Sequence, residues 1–205
     1  MLVWHQKILL YSMLILLALI ILFLYLMPLY PKPLVIKNFI SEEEREHIMK
    51  RVEGEFKPSI VSMDRKVDER VRKSETAWLD FDDPIVRDIS ERCLKYIDRP
   101  LLNCEKLQVL RYKPGGHYLP HQDVLNNVDN QRMYTFIMAL NDDYEGGETI
   151  FPNLKQSYKL EVGDALFFHT LDNYNLWTSK ALHGGQPVKS GEKWICNLWV
   201  RKYPL

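Results

Sequence analysis

The first apolar stretch of the chain is long and almost uninterrupted. Residues 8–27 read ILLYSMLILLALIILFLYLM, without a charge and with only Tyr11, Ser12 and Tyr25 as polar interruptions. Twenty apolar residues match the length that a helix needs to cross a bilayer. A cleaved signal peptide has a shorter apolar core and small residues at its cut site. We therefore expect an uncleaved transmembrane anchor rather than a signal peptide or a buried core helix.

The anchor divides the chain into four predicted parts: a short flank at 1–7, the anchor at 8–27, a linker at 28–33 and a domain at 34–205. Pro28, Pro31 and Pro33 make the linker short and stiff. Lysines flank the anchor on both sides, so the charges do not determine its orientation. We expect a single-pass signal anchor in the endoplasmic reticulum with the domain in the lumen.

Beyond the linker, the pattern indicates two helices followed by many short strands. Residues 34–40 alternate as a first strand does, Ser41 and Glu44 form a capping box for one helix, and Asp83-Pro84 starts the other. The charged segment 58–73 lacks periodicity and is predicted to be a surface loop. Aromatic and aliphatic runs separated by turn residues predict strands at 107–112, 133–140, 148–151, 164–168 and 194–201. This order favours an α+β fold in which helices buttress a sandwich or barrel.

The amino-acid composition excludes only a few classes of function. Lys plus Arg and Asp plus Glu each number 27, so no basic excess suggests a nucleic-acid partner. Cys93, Cys104 and Cys196 lack the C-x-x-C spacing of a zinc site. We expect three free thiols in the core, with a Cys93–Cys104 disulfide in an oxidising compartment as the alternative.

A candidate metal motif lies at His121 and Asp123, which form an H-x-D pair. On an extended strand, residues two apart point to the same side, so the imidazole and the carboxylate would leave one face. They are two of the three ligands in the 2-His-1-carboxylate triad of non-haem Fe(II). Of the other histidines, His117 would share the face of His121 if the strand starts that early, and His183, before two glycines, is the candidate third ligand. Ten residues later, Lys193 offers the cation that a dicarboxylate co-substrate needs.

Together these motifs resemble the catalytic domain of prolyl 4-hydroxylases, which are Fe(II)- and 2-oxoglutarate-dependent dioxygenases. The resemblance covers the chain from about Leu34 onward, and each motif is weak alone but specific in its order. The matching motifs are Arg72-Lys73-Ser74 with Ala77-Trp78-Leu79, Leu107-Gln108-Val109 with Tyr112, Gly115-Gly116, Tyr118, His121 and Asp123, Gly146-Gly147-Glu148-Thr149 with Phe151-Pro152, Gly163-Asp164-Ala165-Leu166-Phe167-Phe168, and His183-Gly184-Gly185 with Pro187-Val188, Gly191-x-Lys193-Trp194, Asn197 and Trp199.

The resemblance implies a double-stranded β-helix, or jelly-roll, with iron at its open end. It also implies Fe(II), 2-oxoglutarate, O2 and ascorbate as cofactors and co-substrates, and no catalytic side chain beyond the metal centre. The implied site residues are His121, Asp123 and His183 as iron ligands, Lys193 as partner of the 2-oxoglutarate 5-carboxylate, and Tyr112 and Thr149 as its hydrogen-bonding neighbours. Many relatives carry a tyrosine where this chain has Ala139, so the pocket is expected to be roomier or differently hydrogen-bonded.

The implied reaction is hydroxylation of peptidyl proline, coupled to decarboxylation of 2-oxoglutarate to succinate and CO2. A Pro-rich polypeptide is the expected partner, because a polyproline II segment is a preformed ligand for an aromatic groove. Tyr118, Trp177 and Trp199 are candidate groove residues, with core or rim packing as the other interpretation. Loops at 58–73, 124–132 and 170–179 are expected to frame the entrance.

Two alternatives remain at the level of sequence. The same iron chemistry could act on another side chain or on a free amino acid. The chain could also be a membrane-tethered peptide-binding module without activity, although such a module has no need of a complete ligand set. We expect no nucleic-acid partner, and the sequence indicates no obligatory protein partner.

Overall fold

The secondary-structure elements are those of a helix-supported β-structure. The computed structural model describes residues 4–61, 66–125 and 128–205. Within these ranges lie the helices α1 (Trp4–Tyr25), α2 (Glu42–Arg51) and α3 (Pro84–Leu94), and the strands β1 (Leu34–Ile36), β2 (Lys57–Pro58), β3 (Arg72–Lys73), β4 (Glu75–Leu79), β5 (Leu107–Tyr112), β6 (His117–His121), β7 (Arg132–Ala139), β8 (Glu145–Gly146), β9 (Thr149–Phe151), β10 (Gln156–Tyr158), β11 (Ala165–His169), β12 (His183–Gly185), β13 (Val188–Ser190) and β14 (Lys193–Arg201).

The strands pair antiparallel in sheets whose order differs from their order along the chain. The larger sheet has the order β1-β11-β7-β14-β5-β4-β2, and the smaller has the order β10-β9-β12-β6-β3. A separate pair joins β13 to β8. The chain crosses between the two sheets several times, as from β5 to β6 to β7 and from β10 to β11 to β12, which is typical of a double-stranded β-helix. The predicted α+β jelly-roll is confirmed.

Two apolar clusters lie on opposite faces of the larger sheet. One joins its outer face to α2 and α3 through side chains such as Ile48, Ile89 and Leu198. The other fills the space between the sheets and includes Ile195 and Phe168. Alternation along the strands sends successive side chains to opposite clusters. The inner face is therefore free to carry the site, while the outer face holds the helices.

The two helices of the domain begin where the sequence predicts. Ser41 and Glu44 form a complete capping box at α2, and the Asp83 carboxylate accepts hydrogen bonds from the first amides of α3. The first strand is shorter than predicted and ends at Ile36. Asn38 takes a left-handed backbone conformation with φ 51°, which turns the chain out of the strand before residue 40.

The segment 58–73 is not simply a surface loop, as the sequence predicted. Its ends belong to β2 and β3, and Val61 pairs with Lys66 in an isolated bridge, while residues 62–65 lie outside the described part. Arg72 is buried. The three cysteines are buried free thiols, as expected, and no Cys93–Cys104 disulfide forms.

Helix α1 is exposed along its whole length, and none of its residues is buried. It is the one described helix that is long and apolar enough to cross a membrane. Its bounds, Trp4–Tyr25, begin and end earlier than the predicted 8–27. Residues 4–7 therefore belong to the helix rather than to a flank, while residues 1–3 lie outside the described part.

Candidate metal centre and co-substrate pocket

The three candidate ligands meet at one end of the space between the sheets. His121 ends β6 and lies directly opposite His183, which starts β12. The Asp123 Oδ1 atom is 3.7 Å from Nε2 of His121, and Oδ2 is 3.6 Å from Nε2 of His183. One ligand atom from each residue lies within 4.8 Å of the others. The sequence expected Asp123 on the same strand as His121, but it lies two residues beyond the end of β6.

Backbone carbonyls fix the orientation of both imidazoles. His121 Nδ1–H donates to the Leu119 carbonyl at 2.9 Å, and His183 Nδ1–H donates to the Ala181 carbonyl at 3.0 Å. Each ring therefore keeps its Nε2 lone pair for a metal. Burial, with His183 nearby, lowers the pKa of His121 to about 3. The ring is neutral at physiological pH, as a metal ligand must be.

The Asp123 carboxylate is buried but stays ionised. Burial acts to raise its pKa, yet the two imidazoles, the Arg132 guanidinium and a hydrogen bond from Thr135 together lower it to about 2. Thr135 Oγ1 donates to Oδ2 at 2.7 Å. Arg132 lies 4.0 Å from Oδ1 and is itself held by a bidentate pair with Glu105. These contacts hold a single negative charge between the two imidazoles.

Lys193 lies in the same cavity and is almost fully buried. Its Nζ donates to the Gly147 carbonyl at 2.7 Å, and no carboxylate of the described residues lies within ion-pair distance of it. Burial, and then the charge of Lys159, lower the pKa of Lys193 to about 8. Asn197, which also lines the cavity, has a buried side-chain oxygen without a hydrogen-bond partner. The pocket therefore offers a cation and polar groups that the protein itself does not neutralise.

Comparison with known protein sequences points to one family. Residues 107–201 match the family model of the 2OG-Fe(II) oxygenase superfamily. The "Putative prolyl 4-hydroxylase" of Acanthamoeba polyphaga mimivirus is 36% identical over 180 residues, covering 82% of this chain and 73% of its own. Prolyl 4-hydroxylase 1 of Arabidopsis thaliana is 32% identical over 193 residues, covering 82% and 68%. The chain belongs to the prolyl 4-hydroxylase family.

A solved structure supports the same assignment. The viral collagen prolyl hydroxylase of Paramecium Bursaria Chlorella virus-1, in its 2OG complex, superposes with a TM-score of 0.69 at 30% identity. The alignment covers 84% of this chain and 97% of the viral chain. As a member of the prolyl 4-hydroxylase family, the present chain is an Fe(II)- and 2-oxoglutarate-dependent dioxygenase, with O2 as its second co-substrate.

The residues of this prolyl 4-hydroxylase family member fit both groups. Two neutral imidazole nitrogens and one carboxylate oxygen are the facial donor set of non-haem Fe(II). The unneutralised Lys193 suits the far carboxylate of 2-oxoglutarate, because a buried cation is stable only with an anionic or polar partner. The fit therefore rests on the donor chemistry and on an unpaired buried charge.

The structure places the other predicted site residues in two groups. Tyr112 and Thr149 line the cavity with Lys193, and Tyr118 and Trp199 line it nearer the iron ligands. The Tyr118 ring stacks on His121 with centroids 3.5 Å apart. Trp177 is not among the described residues that line the cavity, and its side chain is 62% exposed on the loop after β11.

Sequence reasoning missed two residues of the site. Thr135, which bonds Asp123, is separated by one residue from Ile137 on β7, so alternation could have placed both on the inner face. Arg72 also lines the cavity, with its guanidinium 4.6 Å from the centre of the Tyr118 ring. Its charged neighbours suggested an exposed loop, and no local pattern indicated burial.

Local geometry resolves the expectation for His117 and shows where Ala139 lies. β6 does begin at His117, but a register shift against β12 places Tyr118, not His117, beside His121. The His117 imidazole instead contacts the carbonyls of Gly115 and Arg70. Ala139 is fully buried in the inner apolar cluster.

Proposed function

We propose that the enzyme hydroxylates proline residues in a Pro-rich polypeptide, coupled to conversion of 2-oxoglutarate to succinate and CO2, with ascorbate as reductant. The observation that carries this proposal is the buried His–Asp–His cluster beside a buried lysine without a counterion. Relatives named as prolyl 4-hydroxylases, and a viral collagen prolyl hydroxylase with the same fold, support proline as the target.

The side chains divide the work of binding. His121, Asp123 and His183 hold the iron, which with 2-oxoglutarate and O2 supplies the oxidative chemistry. Lys193 forms an ion pair with the 5-carboxylate of the co-substrate, and Thr149 offers a hydroxyl in the same cavity. Charge and hydrogen bonds thus orient the co-substrate relative to the iron ligands.

Aromatic side chains exclude water around the iron ligands. The ring centroids of Phe151 and Phe168 lie 5.5 and 4.6 Å from that of His183. Both phenylalanines are completely or almost completely buried. A dry surrounding strengthens the electrostatic contacts of the site and limits side reactions with solvent.

The substrate wall is formed by Tyr118 and Trp199 at the cavity and by Trp78 outside it. Trp78 is half exposed, and its ring centroid lies 6.3 Å from that of Trp199. Rigid aromatic surfaces suit an extended proline-containing segment, which loses little entropy on binding. The Arg132 guanidinium stacks on Trp199 at 3.8 Å and keeps that ring in place.

For the chain as a whole, α1 serves as an uncleaved membrane anchor, and residues 34–205 form the catalytic domain. The length and apolar character of α1 support an anchor. The endoplasmic reticulum with a lumenal domain is the location that this arrangement favours. Resistance of the full chain to alkaline extraction from membranes tests the anchor, and protease protection tests its orientation.

The activity test uses the full chain in detergent with Fe(II), ascorbate and 2-oxoglutarate. A Pro-rich peptide should stimulate succinate formation and gain the mass of one oxygen on proline, whereas a matched peptide with alanine for proline should do neither. Turnover that is indifferent to both peptides would move the substrate to another side chain or a free amino acid. Absence of turnover and of metal-dependent 2-oxoglutarate binding would favour the binding module.

A further inference from the structure

The loop between β11 and the short 3-10 turn at Ser179–Ala181 carries exposed apolar side chains that the iron site does not use. Tyr174, Leu176 and Trp177 are 43%, 60% and 62% exposed. The tip sequence 173–178, NYNLWT, contains no charged residue. A cluster of large apolar residues on one exposed loop is a sign of an interaction surface.

The loop is rigid rather than loosely tethered. Leu171 and Trp177 form an antiparallel bridge across its base. The buried Asp172 carboxylate accepts hydrogen bonds from the amides of Tyr174 and Leu176, at 2.9 and 3.0 Å. Asn175 turns the tip with φ 59°. The fold therefore holds the apolar side chains outward, where they cannot collapse onto the domain.

The linker fixes where this loop lies relative to α1. Asn173 exchanges two hydrogen bonds with Leu29: the Leu29 amide donates to Asn173 Oδ1 at 2.6 Å, and the Asn173 amide donates to the Leu29 carbonyl at 3.0 Å. The Tyr30 hydroxyl donates to the His169 carbonyl at 2.7 Å. Leu29 follows the end of α1 by four residues, a reach of at most about 14 Å.

The same loop contacts the iron motif at its other end. The Gln122 side-chain amide donates to the Thr178 carbonyl at 3.0 Å. Gln122 lies between the ligands His121 and Asp123. A chain of short contacts therefore leads from the end of α1, through the loop, to the rim of the iron site.

We propose that the loop tip 174–177 is a membrane-interface contact, which seats the iron-site side of the domain against the bilayer that holds α1. This proposal rests on the proposed anchor. Trp and Tyr prefer the headgroup level of a bilayer, and an exposed leucine gains by burial at its acyl boundary. A lipid surface is favoured over a bound polypeptide, because the tie to Leu29 brings the tip to the membrane without any partner.

The test places a fluorescent probe on the full chain in vesicles whose lipids carry a quenching nitroxide, near the headgroup for probes on the domain and at the acyl-chain end for the probe in α1. The native cysteines are buried, so single introduced cysteines can be labelled. The tip probe is Leu176→Cys, and the matched control is Leu102→Cys, because Leu102 is also an exposed leucine, at 71%, on a short turn. Leu16→Cys within α1 reports insertion of the anchor.

We expect loss of fluorescence at positions 16 and 176 and none at 102. Quenching at 16 but not at 176 would overturn the loop contact and leave the anchor standing. No quenching at 16 would remove the anchor and this proposal together. A response at 176 that requires a Pro-rich peptide, instead of nitroxide lipid, would assign the loop to substrate.

A second variant separates lipid contact from simple proximity. With the probe moved to Tyr174→Cys, the added change Leu176→Gln should reduce quenching, whereas Leu102→Gln should leave it unchanged. Leu176 contributes only backbone atoms to the Asp172 contacts, so the loop can keep its shape in the variant. Equal quenching in both backgrounds would mean that the leucine side chain does not enter the interface, which contradicts the proposal.

Discussion

The same strands form both faces of the larger sheet, but the side chains on the two faces differ in the partners that surround them. On β14, Cys196, Leu198 and Val200 face α2 and α3 and are completely buried among apolar side chains. The alternate positions, which include Lys193 and Asn197, face the cavity between the sheets. One strand therefore supplies both the helix-packing surface and the co-substrate pocket.

This difference shows that the side chains of the outer face have all their partners within the protein, whereas those of the inner face need a ligand. The outer face gains stability directly from apolar burial. The inner face buries a cation without a counterion and an amide oxygen without a donor, and both oppose folding. Such local conflicts in an otherwise consistent fold are typical of functional sites. Variants on the two faces should therefore separate activity from stability.

The largest effect is expected from Asp123→Ala. Removing the one anionic ligand should abolish iron-dependent succinate formation, because two imidazoles alone leave the facial triad incomplete. The thermal unfolding midpoint should also fall, because Arg132 and Thr135 lose the buried carboxylate that they contact. Succinate assays and calorimetry on the same preparation measure both.

The matched control is Asp164→Ala, which removes another buried carboxylate on the same scaffold. Asp164 bonds Lys37 and the Asn38 amide far from the ligands. Its loss should lower stability and leave iron binding intact. If Asp123→Ala retained full turnover, the ligand assignment would be wrong.

The next effect is expected from Lys193→Met, which keeps most of the length of the side chain but removes its charge. Loss of one partner of a buried ion pair costs about 2–5 kcal/mol, so the KM for 2-oxoglutarate should rise roughly 100-fold. Without co-substrate, the variant should be more stable at pH 7 by about 3 kcal/mol, because folding no longer lowers a lysine pKa from 10.5 to about 8.

The pH dependence of this stability gain has a definite sign. Because the folded-state pKa of Lys193 is depressed, the cost of burying its charge is present below about 8 and fades as the pH rises toward 10.5. The advantage of Lys193→Met in denaturant unfolding should therefore shrink at alkaline pH. A methionine variant with unchanged KM would show that the co-substrate does not contact Lys193.

The outer face should respond in the opposite way. Leu198→Ala removes a fully buried side chain from the helix-packing cluster and should cost about 2–5 kcal/mol of unfolding free energy. The KM for 2-oxoglutarate of the folded fraction should stay within error of the original. A large rise in KM with little loss of stability would remove the distinction between the faces.

Much of the scaffold was predictable because its signals are local. Capping residues Ser41 and Asp83 fixed the starts of α2 and α3, and strand β5 has the predicted bounds. Among the strands of two or three residues, β1 and β9 were predicted within longer runs, but the others were missed, since so few residues carry no measurable alternation. They exist because neighbouring strands already present free hydrogen-bonding edges.

The site was predictable only where its residues form a motif. The order and spacing along the chain are recognisable for four residues, His121, Asp123, His183 and Lys193. The structure brings all four to one cavity. Arg72 was missed because its burial depends on the pairing of β3 with β6, far along the chain. The bulge that places Tyr118 beside His121 likewise arises from pairing with β12, which no local pattern reveals.

The smallest effect, and the finest test of the inner face, is the pH dependence of 2-oxoglutarate binding. Only protonated Lys193 can pair with the 5-carboxylate, so affinity measured by anaerobic equilibrium dialysis should be constant below about pH 8 and fall about tenfold per unit above it. Lys159 lowers the pKa of Lys193, while Glu148 raises it. Lys159→Met should therefore move the break to higher pH, and Lys193→Met should remove it. A break that persisted in Lys193→Met would assign the titration to another group and leave the buried cation without a role in co-substrate binding.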